Sequence, residues 1–201
     1  MEKIIFATGN KDKLKEVRMI LADMPVEIVS MKDAGVDIEI IEDGTTFEEN
    51  AIIKAKAVME ASGCAAWADD SGLEVDYLDK APGIYSARYM GEDTSYRIKN
   101  QHIIDQLEGV EMERRTARFV CVIACATPDG KVFCARGTIE GYIGYKEEGE
   151  NGFGYDPIFY LPEYGTTSAA ISPEEKNKIS HRGKALQEMK KLFMEYLESR
   201  G

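Results

Sequence analysis

The spacing of apolar positions changes several times along this chain, and each change marks an element. Lys3 to Ala7 is an apolar run of strand length, after which Leu14, Val17 and Leu21 recur at helical spacing. That pattern predicts a strand, a turn over Thr8 to Asn10, and a helix. A second helix opens at Thr46-Phe47-Glu48-Glu49, which fits a capping box, and runs to about Ser62, where Gly63 stops it. Asn50 and Lys54, four residues apart, share one face of that helix. Ala65 to Asp69 reads as a short strand ending in Asp69-Asp70-Ser71-Gly72, and Tyr96 to Leu107 as a helix. Alternation from Arg118 to Ala124, the turn Pro128-Asp129-Gly130, and Val132 to Ala135 predict a β-hairpin, with further strand to about Tyr145. Ser172-Pro173-Glu174-Glu175 supplies an N-cap, a first-turn proline and a capping glutamate, and the last helix buries Leu186, Met189, Phe193 and Tyr196.

Strand-like and helix-like segments alternate with no repeat, low-complexity tract or linker between them, so residues 1–201 are expected to form a single α/β domain. With 201 residues, 44% of them hydrophobic, the chain can bury one sizeable core or two lobes sharing a sheet. No segment approaches the roughly 18 unbroken apolar residues of a membrane helix. The opening Met1-Glu2-Lys3-Ile4-Ile5-Phe6 turns polar too soon for a signal peptide. A cytoplasmic protein without membrane contact is the expectation. Cys64, Cys121, Cys125 and Cys134 contain no Cys-x-x-Cys pair and read as free thiols.

A formal charge of -11 argues against a nucleic-acid polymer as partner, because that binding needs a basic face to neutralise many phosphates. A small anion remains open. An acidic protein that binds phosphate must gather its cations locally, with a divalent metal able to supply the rest. This directs attention to Lys11, Lys13, Lys54, Lys176 and Arg182.

Thr8-Gly9-Asn10-Lys11-Asp12-Lys13 has the make-up of a phosphate cradle: a glycine that lets backbone approach an anion, free N–H groups at a helix start, and lysine point charges. The competing reading is a plain strand-helix turn with solvated lysines. Asp69-Asp70-Ser71-Gly72 after a strand suits Mg²⁺ binding and polarisation of water, or an Asx-type turn that caps the strand. Glu42-Asp43-Gly44 is a weaker candidate, since acidic glycine turns are commonly just solvated. In Gly152-Phe153-Gly154-Tyr155-Asp156-Pro157 an aromatic flanked by glycines can stack on a base while the acid bonds its ring atoms, or else it plugs a hairpin tip. His181 and Arg182 suit a carbonyl-bearing base or a phosphate, Arg182 the better for planar recognition. Metal ligation by His102 lacks a second spaced partner.

Taken in order, these segments carry a resemblance. Ala7-Thr8-Gly9-Asn10-x-x-Lys13, Thr46-Phe47-x-Glu49-Asn50-Ala51, Ala68-Asp69-Asp70-Ser71-Gly72-Leu73, Ala81-Pro82-Gly83-Ile84-Tyr85-Ser86-Ala87-Arg88-Tyr89, Gly152 to Phe159, Glu175-Lys176 and Ser180-His181-Arg182 span nearly the whole chain. The chain resembles the non-canonical purine nucleoside triphosphate pyrophosphatases, the inosine triphosphate pyrophosphatase family. The resemblance implies hydrolysis of ITP, dITP and XTP to the monophosphate and pyrophosphate, with Mg²⁺ as cofactor, by a cytoplasmic homodimer. The implied fold is an elongated, two-lobed mixed β-sheet flanked by helices, with the active-site cleft between the lobes.

Residue by residue, the resemblance makes Thr8, Gly9, Asn10, Lys11, Asp12 and Lys13 the triphosphate-binding segment, joined by Lys54. Asp70 becomes general base and metal ligand, Glu42 a second ligand, and Ser71 a substrate contact. Phe153, Gly154, Tyr155, Asp156, Lys176, His181 and Arg182 hold the purine. Two departures stand out: the acid Asp12 inside the phosphate segment, tolerable if it faces solvent, and Ile41 beside Glu42, where relatives often carry a second acid. Two other readings are a Maf-like pyrophosphatase acting on modified or pyrimidine triphosphates and a non-enzymatic nucleotide-binding module.

Overall fold

The computed structural model describes residues 2–200. Its strands are β1 (Glu2–Phe6), β2 (Val26–Ser30), β3 (Ala65–Val75), β4 (Thr116–Ala126), β5 (Val132–Ile143), β6 (Phe159–Leu161) and β7 (Thr166–Thr167). The helices are α1 (Lys11–Ile20), α2 (Phe47–Ser62), α3 (Tyr96–Gln106), α4 (Pro173–Ile179) and α5 (His181–Glu198). The strands form one mixed sheet in the order β2-β1-β3-β4-β5-β6-β7, as an α/β fold requires. The chain divides into two units, and β3, β4 and β5 contribute residues to both.

The first unit holds the chain up to Asp70, Cys121–Gly137, and everything from Arg182 onward. β1 lies parallel to β2 and β3, with Phe6 opposite Ser30 on one side and Trp67 on the other. Parallel neighbours need crossovers, which α1 and α2 supply. Ile4, Phe6, Val17, Trp67, Ile123, Leu186, Met189 and Phe193 are all fully buried here. The Trp67 ring meets Phe193 edge-on at 5.4 Å. Each such side chain contributes about 1.5–3 kcal/mol of burial.

The second unit holds Ser71–Val120 and Thr138–His181. Its own core gathers Leu73, Ile103, Leu107, Ile143, Ile158 and Phe159, all fully buried. β5, β6 and β7 run antiparallel. Arg115 is buried in this unit and its guanidinium donates to the carbonyls of Leu107 and Ile143 at 2.7 Å and of Gly144 at 2.8 Å, which satisfies the cation without a carboxylate.

Two expectations are corrected, and one strand had not been read. β3 does not stop at Asp69: it continues through Asp70-Ser71-Gly72 to Val75, which removes the Asx-turn reading. Charged residues look like a strand end because burying them unpaired is costly, and here both acids have partners. The last helical region is two helices, broken at Ser180, whose extended backbone (φ -67, ψ 156) separates α4 from α5. β2 went unread because five residues carry too little periodicity. Both N-caps are formed: Thr46 Oγ1 accepts from the Glu49 N–H at 3.1 Å, and Ser172 Oγ from the Glu175 N–H at 3.1 Å. Gly63 closes α2 in the left-handed conformation (φ 67), as its C-cap position demands. All four cysteines are free thiols. Among the described residues no helix is long and apolar enough to cross a membrane.

Candidate active site

The turn after β1 is held by its own side chains. Thr8 Oγ1 accepts from the Asn10 N–H at 3.1 Å, and Asn10 Oδ1 accepts from the N–H groups of Asp12 and Lys13 at 2.9 and 3.2 Å. The expectation of free N–H groups at this helix start is therefore corrected: Asn10 caps α1 and takes two of them. Gly9, Asn10, Lys11 and Asp12 are exposed, Asp12 to solvent as its charge requires. Lys13 turns inward and pairs with Asp69 at 2.9 Å.

Around Asp69 and Asp70 the first unit gathers its buried charge. Asp69, 1% exposed, also meets Arg182 at 3.4 Å, and Arg182 in turn pairs with Glu16. Burial works against the Asp69 charge, but Lys13, Arg182 and Lys54 outweigh it and hold its carboxyl well below the usual range. Asp70, 7% exposed, stands next to it in β3 and has a different fate. Burial pushes it up to about 6, against the pull of Lys54, a hydrogen bond from Asn50 and Lys13, with Glu42 pushing the same way as burial. Lys54 lies 3.7 Å from Asp70 Oδ1 and 3.0 Å from Glu42 Oε2. Burial disfavours the Lys54 charge, yet Asp69, Asp70 and Glu42 raise its pKa overall. The shared face of Asn50 and Lys54 is thus real, and it is turned toward Asp70.

Asp70 Oδ2 is buried and has no hydrogen-bond partner among the described residues. Such an acceptor costs about 1–3 kcal/mol, so the fold leaves it unmet at some expense. An unsatisfied carboxylate oxygen beside a second carboxylate, Glu42, is a donor set that suits a hard divalent cation whose other ligands are phosphate oxygens and water. Among the described residues no three acidic, histidine or cysteine side chains converge as an all-protein metal cage. Ile41 is exposed and adds no ligand.

The second unit brings together the other predicted group except Arg182, which lies in the first unit with Asp69 and Glu16. Asp156 is buried, with Lys176 Nζ donating to its Oδ2 at 2.6 Å, the Phe153 N–H to the same oxygen at 3.0 Å, and Ser168 Oγ to Oδ1 at 2.8 Å. Lys176 Nζ sits 5.2 Å from the centroid of the half-buried Phe153 ring. Gly152 (φ 73) and Gly154 (φ 65) adopt left-handed backbone, and a Cβ on Gly152 would fall 2.2 Å from Asp156 Oδ2. Glycine is what permits this tight loop. Tyr155 is buried and donates to the Ser86 carbonyl at 2.7 Å, so it frames the loop rather than opening into it. His181 stacks on Phe119 with centroids 4.8 Å apart and an 18° tilt. Ser71 follows Asp70 in β3 and is half-buried.

Glu16, Asn50 and Ser168 were not singled out as functional, although each orders a predicted site residue. Asn50 had a signal, since its spacing to Lys54 was visible. Glu16 and Ser168 lie 166 and 12 residues from their partners, and no local pattern announces such pairings.

Comparison with known proteins finds relatives over nearly the whole chain. A protein of Desulforamulus reducens named dITP/XTP pyrophosphatase is 50% identical over 184 residues, 92% of each chain. One of the same name from Listeria monocytogenes is 48% identical over 98% of both. The solved HAM1 protein of Coxiella burnetii superposes with a TM-score of 0.88 at 40% identity, covering 97% of this chain and all of that one. With the Ham1 family model matching residues 4–192, the chain belongs to the Ham1 family.

Proposed function

We propose that this chain is a nucleoside-triphosphate pyrophosphatase that hydrolyses non-canonical purine nucleotides, ITP, dITP and XTP, to the monophosphate and pyrophosphate. The observation that carries the reading is Asp70: a buried carboxylate with one unmet oxygen, beside Lys54, Glu42 and the Lys13–Asp69 pair. The dITP/XTP pyrophosphatase names of relatives near half identity support the substrate class.

Asp70 acts as general base. Water attacks the α-phosphorus and gives its proton to the Asp70 carboxylate while the bond from that phosphorus to the bridging oxygen breaks, leaving the monophosphate and pyrophosphate. A carboxyl raised to about 6 is a stronger base than an ordinary aspartate and remains mostly ionised at neutral pH. Lys13 and Lys54, with the segment Thr8 to Asp12, offset the negative charge that grows on the leaving pyrophosphate. Glu42 and Asp70 would hold Mg²⁺, which when bound adds positive charge against the phosphates. Asp69, locked by Lys13 and Arg182, stays ionised and positions Lys13.

The Phe153 ring and its loop take the purine, with Ser71, Lys176 and His181 completing recognition. Donors that pair with a 6-oxo group are left facing adenine's amino group, and each such mismatch costs about 1–3 kcal/mol. The enzyme works as a homodimer in the cytoplasm. The Ham1 match favours this over a Maf-like pyrophosphatase, and the intact carboxylate and lysine group favours it over a binding module.

Pyrophosphate release from ITP, XTP, ATP, GTP and dTTP, with Mg²⁺ and with chelator, tests the proposal. Metal-dependent release from ITP and XTP far above the rest is expected. Release mainly from dTTP, or none, overturns it.

A further inference from the structure

The motif Ala81 to Tyr89 was recognised in the sequence without a role, and α3 gives it one. Tyr96, Lys99 and Asn100 stand at i, i+3 and i+4, on one face of α3. Lys99 Nζ donates to the Ala87 carbonyl at 2.7 Å. Tyr96 meets Tyr155 edge-on at 5.2 Å, and Tyr155 is the residue whose hydroxyl reaches Ser86. Asn100, 1% exposed, donates from Nδ2 to the Gly154 carbonyl at 3.2 Å and to Glu147 Oε1 at 2.8 Å. One helix face therefore holds both the Ser86–Ala87 segment and the Phe153 to Asp156 loop.

Asn100 is the unusual member. Its Oδ1 is buried and has no hydrogen-bond partner among the described residues. Its orientation is dictated by Nδ2, since two acceptors, one of them a carboxylate, can be met only by the amide's donor end. A residue kept for stability alone would not leave a buried acceptor unmet, and leucine would fill the same volume without that cost. What leucine cannot do is hold the carbonyl of Gly154, a left-handed residue in a loop whose shape is otherwise fixed from the Asp156 side. We propose that Asn100, oriented by Glu147, is the positioning residue that fixes the Phe153 to Asp156 loop in its purine-accepting shape. The proposal rests on the reading of function given above.

The test compares wild type, Asn100→Leu and Glu147→Gln, the last an exposed site whose change keeps size and removes charge. Each is measured for KM and kcat with ITP, the ITP/ATP preference, inhibition by inorganic tripolyphosphate, and melting temperature. Misplacing a binding loop by a fraction of an ångström is expected to raise KM for ITP about tenfold in Asn100→Leu, with kcat within about threefold. The ITP/ATP preference falls with it. Tripolyphosphate carries no base, so its inhibition constant stays at the wild-type value, even though the Gly154 carbonyl left without its donor lowers the melting temperature. Glu147→Gln shifts KM in the same direction by less. Unchanged KM and preference in Asn100→Leu overturns the proposal. So does a rise in the tripolyphosphate constant, which marks a merely structural residue. If wild type itself releases no pyrophosphate from ITP, the reading of function fails, and this proposal with it.

Discussion

In the second unit, Asp156 commits both oxygens to the protein: Lys176 and the Phe153 N–H share one, and Ser168 holds the other. In the first unit Asp70, similarly buried, faces Lys54 from 3.7 Å through one oxygen and leaves the other without a partner. Two buried aspartate–lysine neighbours thus have opposite uses. A satisfied carboxylate makes its surroundings rigid, because moving any one group strands the others. An unsatisfied one stores an unmet demand for a proton, a water or a cation, and its raised pKa expresses the same demand. Asp69 sharpens the contrast: one residue before Asp70, with Lys13 and Arg182 as partners, it is held as a permanent anion.

The largest expected effect comes from removing the reactive acid. Asp70→Asn keeps the size of the side chain and is expected to cut turnover of ITP by about a hundred- to ten-thousand-fold, the range for a lost general base. Nucleotide binding persists. Without metal or nucleotide, the same variant is expected to be the more stable protein at neutral pH. The Asp70 carboxyl has a folded pKa of about 6 against an ordinary 3.8, so the folded state binds more protons between those values. Wild type therefore loses stability as pH rises through that window, by about 1–3 kcal/mol, and the variant does not. Melting temperatures in chelator at pH 4.5, 6 and 7.5 should show a gap that opens with pH. A gap independent of pH, or near-normal turnover, would remove Asp70 from the role given to it.

Breaking the satisfied acid should look different. Asp156→Asn leaves Lys176 buried beside a neutral amide, and loss of one partner of a buried pair costs about 3–5 kcal/mol. Melting falls, KM for ITP rises, and kcat at saturation changes little. The double variant with Lys176→Met recovers most of the lost stability by denaturant titration but not the KM. Full kinetic recovery would mean that the pair is structural only.

How far the sequence revealed this contrast depends on distance along the chain. Thr46-Phe47-Glu48-Glu49, Gly63 and Ser172-Pro173 were legible because a cap is satisfied within three or four residues. The Asp69-Asp70 pair was found as chemistry and misread as a strand end, since nothing local reveals that Lys13, Arg182 and Asn50 arrive from elsewhere to pay for its burial. The free helix start expected at Thr8 to Lys13 failed for a local reason that could have been used: Asn10 stands where an N-cap belongs. Asn100 and Ser168, polar residues with no motif around them, were invisible because their roles exist only in the folded contacts.

The smallest effect expected is also the most local. Gly152→Ala adds one methyl group to a left-handed residue (φ 73), at a backbone cost of about 1–2 kcal/mol. The added Cβ would lie 2.2 Å from Asp156 Oδ2 and 3.2 Å from Lys176 Nζ, closer to the oxygen than atoms pack. The carboxylate must therefore shift, and with it the oxygen that receives the Phe153 N–H. Because Asp156 has no spare acceptor to offer, the strain passes into the Phe153 loop, whereas chemistry at Asp70 is untouched. Steady-state kinetics should show KM for ITP raised by several-fold with kcat unchanged, and tripolyphosphate inhibition as in wild type. A fall in kcat at unchanged KM would place the effect on the chemical step and dissolve the division of labour between the two aspartates.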